Sequence, residues 1–157
     1  MKKSAIVATL ASLVLLCGLG ITMAQDFSQA PSYAETTLAT GFMPDPHVVA
    51  MTAGGTINTA TEGPAPPCGY VAAAPDFRLN WGGGGTLNIY AVAPPDVTPL
   101  ISMPDASWQC NDDFNGTNPL VAITNAPAGQ YDIWVGTYGT DVVAGTSLKI
   151  SEMSPQW

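Results

Sequence analysis

The segment Asn111-Asp112-Asp113-Phe114-Asn115-Gly116 is the most chemically loaded part of the chain. Counted from Asn111, oxygen-bearing side chains fall at the first, third and fifth positions (Asn111, Asp113, Asn115), and Gly116 takes the sixth. Alternate carboxylate and amide oxygens can converge on a hard cation, and a glycine allows the sharp turn, so the spacing resembles the opening of a calcium loop. An EF-hand is excluded, because the first position is Asn and the twelfth is Ala122 where a bidentate Glu is needed. A simpler calcium turn remains open, with Asp112 and Asp113 as adjacent like charges and Asp105 and Asp96 as residues that could close the shell. The competing reading is that these Asp and Asn side chains only build turns by bonding the local backbone.

Signatures of catalysis are sparse. A Ser–His–Asp hydrolase needs an imidazole base, and His47, at the end of a Pro-Asp-Pro turn, is the only His in the chain. There is no Gly-x-Ser-x-Gly elbow. One His cannot make a zinc site. The run Gly82–Gly85 lacks the Lys and Ser/Thr of a phosphate loop and reads as a flexible hairpin connection. Glu35, Glu62 and Glu152 all lie in polar or turn contexts, where nothing would raise a carboxyl into the range of a general acid. The sequence therefore predicts no enzyme. Trp81, Trp108 and Trp134 with the tyrosines could stack on sugar rings, but at strand spacing such side chains more often fill a sandwich interior. Trp108 sits two residues from Cys110 and is expected to cover a disulfide there.

The N-terminus sets the compartment. Met1-Lys2-Lys3 is a short basic lead, an uncharged apolar run follows through Leu16, and Thr22-Met23-Ala24 offers small residues for cleavage. Residues 1–24 read as a bacterial-looking secretory signal, with an uncleaved anchor as the rival. Its removal takes Lys2 and Lys3 and no acid, so the formal charge moves from −8 to −10, with only Arg78 and Lys149 left against twelve acids. So acidic a surface excludes nucleic acid and anionic lipid as partners, since nothing could neutralise rows of phosphates. Cys17 leaves with the signal, and Cys68 and Cys110 remain as an even pair in an oxidising compartment, where a disulfide is expected.

The rest of the chain must position these groups. Residues 25–35 are polar and read as a flexible lead-in, residues 36–153 as one domain, and residues 154–157 as a short tail. Period-two alternation is clean at Phe77–Trp81, Leu87–Ala91, Tyr131–Gly136 and Leu148–Ile150. It is weaker at Thr37–Phe42, His47–Thr52, Thr56–Ala60, Pro99–Met103 and Leu120–Thr124. Gly, Pro and Asn clusters punctuate these runs, and no 3.6-residue apolar stripe persists. The expected fold is all-β: an antiparallel β-sandwich, jelly-roll-like, of about eight to ten short strands.

Five segments in order carry a resemblance: Ala74-Pro75-Asp76-Phe77-Arg78-Leu79, Leu87-Asn88-Ile89-Tyr90, Pro104 to Asp113, Asn118-Pro119, and Ala128-Gly129-Gln130-Tyr131-Asp132-Ile133-Trp134-Val135-Gly136. Over roughly residues 41–152 the chain resembles the bacterial pre-peptidase C-terminal domain family, and more closely its small secreted stand-alone relatives often labelled as serine-peptidase-associated. The resemblance implies a jelly-roll-like sandwich and a non-catalytic accessory role: keeping exported enzymes soluble, assisting secretion, or binding a protein or extracellular polymer. Calcium binding by some relatives implies Asp112 and Asp113 as ligands. The chain departs from the pattern in that no peptidase precedes the domain, so a peptidase label would describe its neighbours. The expected protein is secreted, periplasmic or extracellular. The alternative is a self-associating cell-surface subunit in which residues 25–35 pair with a neighbouring copy.

Overall fold

The computed structural model describes residues 25–157; the expected signal, residues 1–24, lies outside the described residues. Among the described residues, eleven strands form two open sheets. The strands are β1 (Ala34–Leu38), β2 (His47–Ala53), β3 (Ile57–Asn58), β4 (Tyr70–Val71), β5 (Phe77–Trp81), β6 (Thr86–Val92), β7 (Val97–Ser102), β8 (Trp108–Cys110), β9 (Leu120–Thr124), β10 (Gly129–Thr137) and β11 (Val143–Ser151). The four-stranded sheet has the order β2-β11-β6-β9. The seven-stranded sheet runs β1-β5-β10-β4-β3, with β7 also paired to β10 and β8 paired to β7. The all-β sandwich expected from alternation is therefore what the chain forms. The two strands that alternation did not mark, β4 and β8, are two and three residues long, too short to show a period.

The interior follows from the alternation. Phe77, Leu79 and Trp81 of β5, with Tyr131, Ile133 and Val135 of β10, face Leu87, Ile89, Leu148 and Ile150 of the smaller sheet in one apolar core. Strand β10 is buried on both faces. Its alternate residue Trp134 turns away from the sandwich interior into a second cluster with Ala65, Cys68, Val71 and Leu100, against which Trp108 packs. The Cys68–Cys110 disulfide, with a Cα–Cα distance of 6.2 Å, ties the loop before β4 to β8 and so closes this second cluster.

Three expectations change. The glycine run is no hairpin: it carries the chain from β5 in one sheet to β6 in the other, with Gly83, Gly84 and Gly85 all at positive φ. A left-handed path over three successive residues is open only to glycine at low cost. One pair, β1 with β5, is parallel, with Ala34 opposite Phe77 and Leu38 opposite Trp81. Finally, the segment expected as a loose lead-in is tied to its own sheet. Asp26 N donates to Ala73 O, Ser32 N to Pro75 O and Tyr33 N to Asp76 O. The Arg78 guanidinium reaches the carbonyls of Phe27 (2.6 Å) and Gln29 (3.1 Å), and Glu35, placed in that segment, belongs to β1. The Tyr33 hydroxyl donates to Thr52 O and accepts from Thr52 N, so it caps the outer edge of β2. An edge strand capped in this way offers fewer free backbone groups to a second chain.

Candidate functional site

The hairpin of β7 and β8 decides which of the expected metal ligands meet. Its register pairs Leu100 with Cys110 and Ser102 with Trp108. Asn111, Asp112 and Asp113 therefore follow β8 toward the start of β7, where Asp96 lies, while Asp105 occupies the turn at the far end. The six residues of β7 separate the two ends by about 20 Å at the rise of a strand. Asp105 is thus a turn residue: its carboxylate accepts from Ser107 N (3.0 Å) and Ser107 Oγ (2.6 Å), and these bonds hold it below the usual carboxylate range.

The remaining oxygens divide between turn and cluster. Asn111 Oδ1 accepts from Leu120 N at 3.3 Å. Asn115 and Asn118 exchange backbone hydrogen bonds around Gly116, which sits at φ 61°, so this stretch is a tight turn. Asp96, Asp113 and Asp112 come near enough that, after burial, the two neighbouring negative charges raise the Asp96 carboxyl. Asp96 Oδ1 is buried with no hydrogen-bond partner. Among the described residues, no three His, Cys, Asp or Glu side chains gather closely enough to hold a metal ion. Of the five residues expected as ligands, the structure brings Asp112 and Asp113 toward Asp96, engages the Asn111 amide with Leu120 N, sets Asn115 in a turn held by its backbone, and places Asp105 at the far end of β7.

His47 lies against Phe77, with ring centroids 5.7 Å apart, and its burial disfavours the imidazolium. The carboxyl that departs furthest from its ordinary value is Asp76, which no motif marked. It is 3% exposed and its Oδ2 accepts from Val135 N at 2.8 Å. Burial pushes its pKa up to about 7, and the bond from Val135 offsets only part of that. The β5–β10 ladder ends at Phe77–Ile133, and the Asp76 side chain supplies the acceptor that the missing strand residue would have offered Val135. The side chain thus extends the end of the β5–β10 ladder by one acceptor, and the trace of it in the sequence is a carboxylate directly before a clean strand. Beside it, Arg78 Nε donates to Asp132 Oδ1 at 2.7 Å, with side chains 12% and 6% exposed.

Two hollows open on the outer face of the seven-stranded sheet, and Trp108 lines both. The first, of about 580 Å³, is largely apolar, with Phe27, Pro64, Met103 and Pro104. The second, of about 700 Å³, is bounded by the disulfide, Tyr70 and Tyr138, together with Asn58, Gln109 and Asp112. Trp108 rests on Trp134 at 5.6 Å between centroids. Of the three tryptophans considered as sugar platforms, Trp81 and Trp134 are buried and Trp108 alone borders open space. Tyr138, at the rim, is 79% exposed. No protein-family model and no curated protein matches the chain.

Proposed function

We propose that the protein is a secreted accessory module of the pre-peptidase C-terminal type that acts by binding a protein or extracellular polymer and performs no catalysis. The observation that carries this reading is the pair of hollows around Trp108, on a face that the disulfide braces and the chain leaves partly uncovered. Hollows of this size with aromatic walls and a few polar groups suit ligand capture. The disulfide fits export to an oxidising compartment, and among the described residues no helix is long and apolar enough to cross a membrane. The packing of His47 on Phe77 favours a structural use of the one imidazole. Self-assembly through residues 25–35 is the weaker reading, because that segment spends its hydrogen bonds on its own sheet.

Purified protein incubated with casein and with an active-site serine probe is expected to release no peptides and carry no label. Turnover that follows the protein through repurification would contradict the reading. Calcium enters it only if Asp112 and Asp113 close in on Asp96, since the three like charges would be relieved by a cation but do not gather closely enough to hold one as they stand. In that case a chelator lowers the melting temperature and Asp113→Ala removes the response; a chelator without effect leaves the segment as a turn alone.

A further inference from the structure

The hollow between the disulfide loop and β8 has a chemistry narrow enough to name a ligand class. Three aromatic faces border it: Tyr70, Trp108 and Tyr138. Tyr70 is held in place, since its hydroxyl accepts from Asn58 Nδ2 at 3.4 Å while Asn58 Oδ1 accepts from Ala60 N. Trp108 is steadied by Trp134 beneath it. The polar groups facing the space are an amide and a carboxylate, Gln109 and Asp112, both exposed and, among the described residues, without side-chain hydrogen bonds. Among the described residues no Lys or Arg shares the space: Arg78 is paired to Asp132, and Lys149 lies over Tyr90 on the other sheet.

Resting on the binding reading above, we infer that this hollow binds a neutral oligosaccharide segment of an extracellular polysaccharide. The apolar faces of sugar rings match the aromatic walls, and hydroxyls both donate and accept, so they can satisfy Gln109 and Asp112 together. An acidic glycan or a phosphorylated ligand would meet Asp112 with no compensating cation. A proline-rich peptide also stacks on aromatic grooves, but it presents mainly carbonyl acceptors and would leave the Asp112 carboxylate facing acceptors.

The test is native affinity electrophoresis of the whole secreted protein in gels containing a β-glucan, a xylan or a galactomannan, with alginate as the acidic control and a proline decapeptide as competitor. At least one neutral polysaccharide retards the protein and alginate does not. Tyr138→Ala and Gln109→Ala each weaken the retardation about tenfold, the equivalent of one lost stacking or hydrogen-bonding contact. Both leave the melting temperature unchanged, and Phe114→Ala, an exposed aromatic outside the hollow's lining, has no effect. Indifference to all three neutral polysaccharides overturns the inference. Retardation that survives both substitutions also overturns it, by placing the sugar elsewhere, and leaves the binding reading standing. Tyr138-dependent capture of the decapeptide alone replaces the ligand class. Release of reducing ends from the retained polysaccharide would sink the non-catalytic reading instead.

Discussion

The outer faces of the two sheets are finished in opposite ways. On the four-stranded sheet the chain's own end forms the cover. Trp157 meets Tyr90 edge-on at 5.3 Å, Gln156 N donates to the Tyr90 hydroxyl, Lys149 Nζ donates to Gln156 O, and Asn88 Nδ2 donates to Met153 O. On the seven-stranded sheet the cover is a loop held by a covalent bond, with a buried ion pair and the Asp76 carboxyl beside it. The first face is closed by packing of an aromatic tail. The second is closed by a staple and by charge, and the closure stops short at Trp108. Rigid walls with an open gap are what a binding surface requires, because little ordering entropy is then lost on capture.

This difference can be broken from either side. The largest effect is expected from pH. Folding raises Asp76 from 3.8 to about 7, so the folded chain holds that proton where the unfolded chain releases it. The contribution is fully present below about pH 4 and is lost as pH rises through 7, amounting to roughly 4 kcal/mol over that span. Denaturant melts at pH 4.5 and pH 8 check it: Asp76→Asn keeps a neutral acceptor for Val135 and should flatten the profile, leaving the variant more stable than the parent at pH 8. Reduction comes next. Cys68 and Cys110 are 42 positions apart, and opening that loop by the double change to Ser should cost about 3–4 kcal/mol in the chain-entropy model. The same change should loosen Trp108 and leave the Tyr90–Trp157 contact intact, which the indole NMR signals would separate. Deleting residues 154–157 is the smallest of the three, roughly 1–2 kcal/mol for uncovering Tyr90 and losing its aromatic partner. That loss should be indifferent to reductant.

Much of this architecture was legible in the residues. Phe77–Trp81 alternates cleanly and Leu120–Thr124 more weakly, both are strands over those same bounds, and Cys68 and Cys110 pair as expected. The first strand was displaced: alternation favoured Thr37–Phe42, whereas β1 covers Ala34–Leu38, because parallel pairing to β5 and the Tyr33 cap set its register from outside. The candidate ligands show the same limit. Asn, Asp and Gly at alternate positions describe a turn and a metal loop equally well, and only the β7–β8 register reveals that Asp105 lies a strand's length from Asp112. Trp108 and Trp134 look alike in sequence; which one borders open space depends on where the disulfide pulls the loop before β4. Asp76 shows in the sequence only as a carboxylate before a clean strand, and its burial comes from strands remote in sequence.

The most direct measurement follows the four tryptophan indole NMR signals of the full protein during titration with the polysaccharide fragment that retards it best. The Trp108 signal should move most, that of Trp134 slightly through their contact, and those of Trp81 and Trp157 not at all. Movement centred on Trp157, with Trp108 unchanged at saturation, would place the ligand on the opposite sheet and contradict the account.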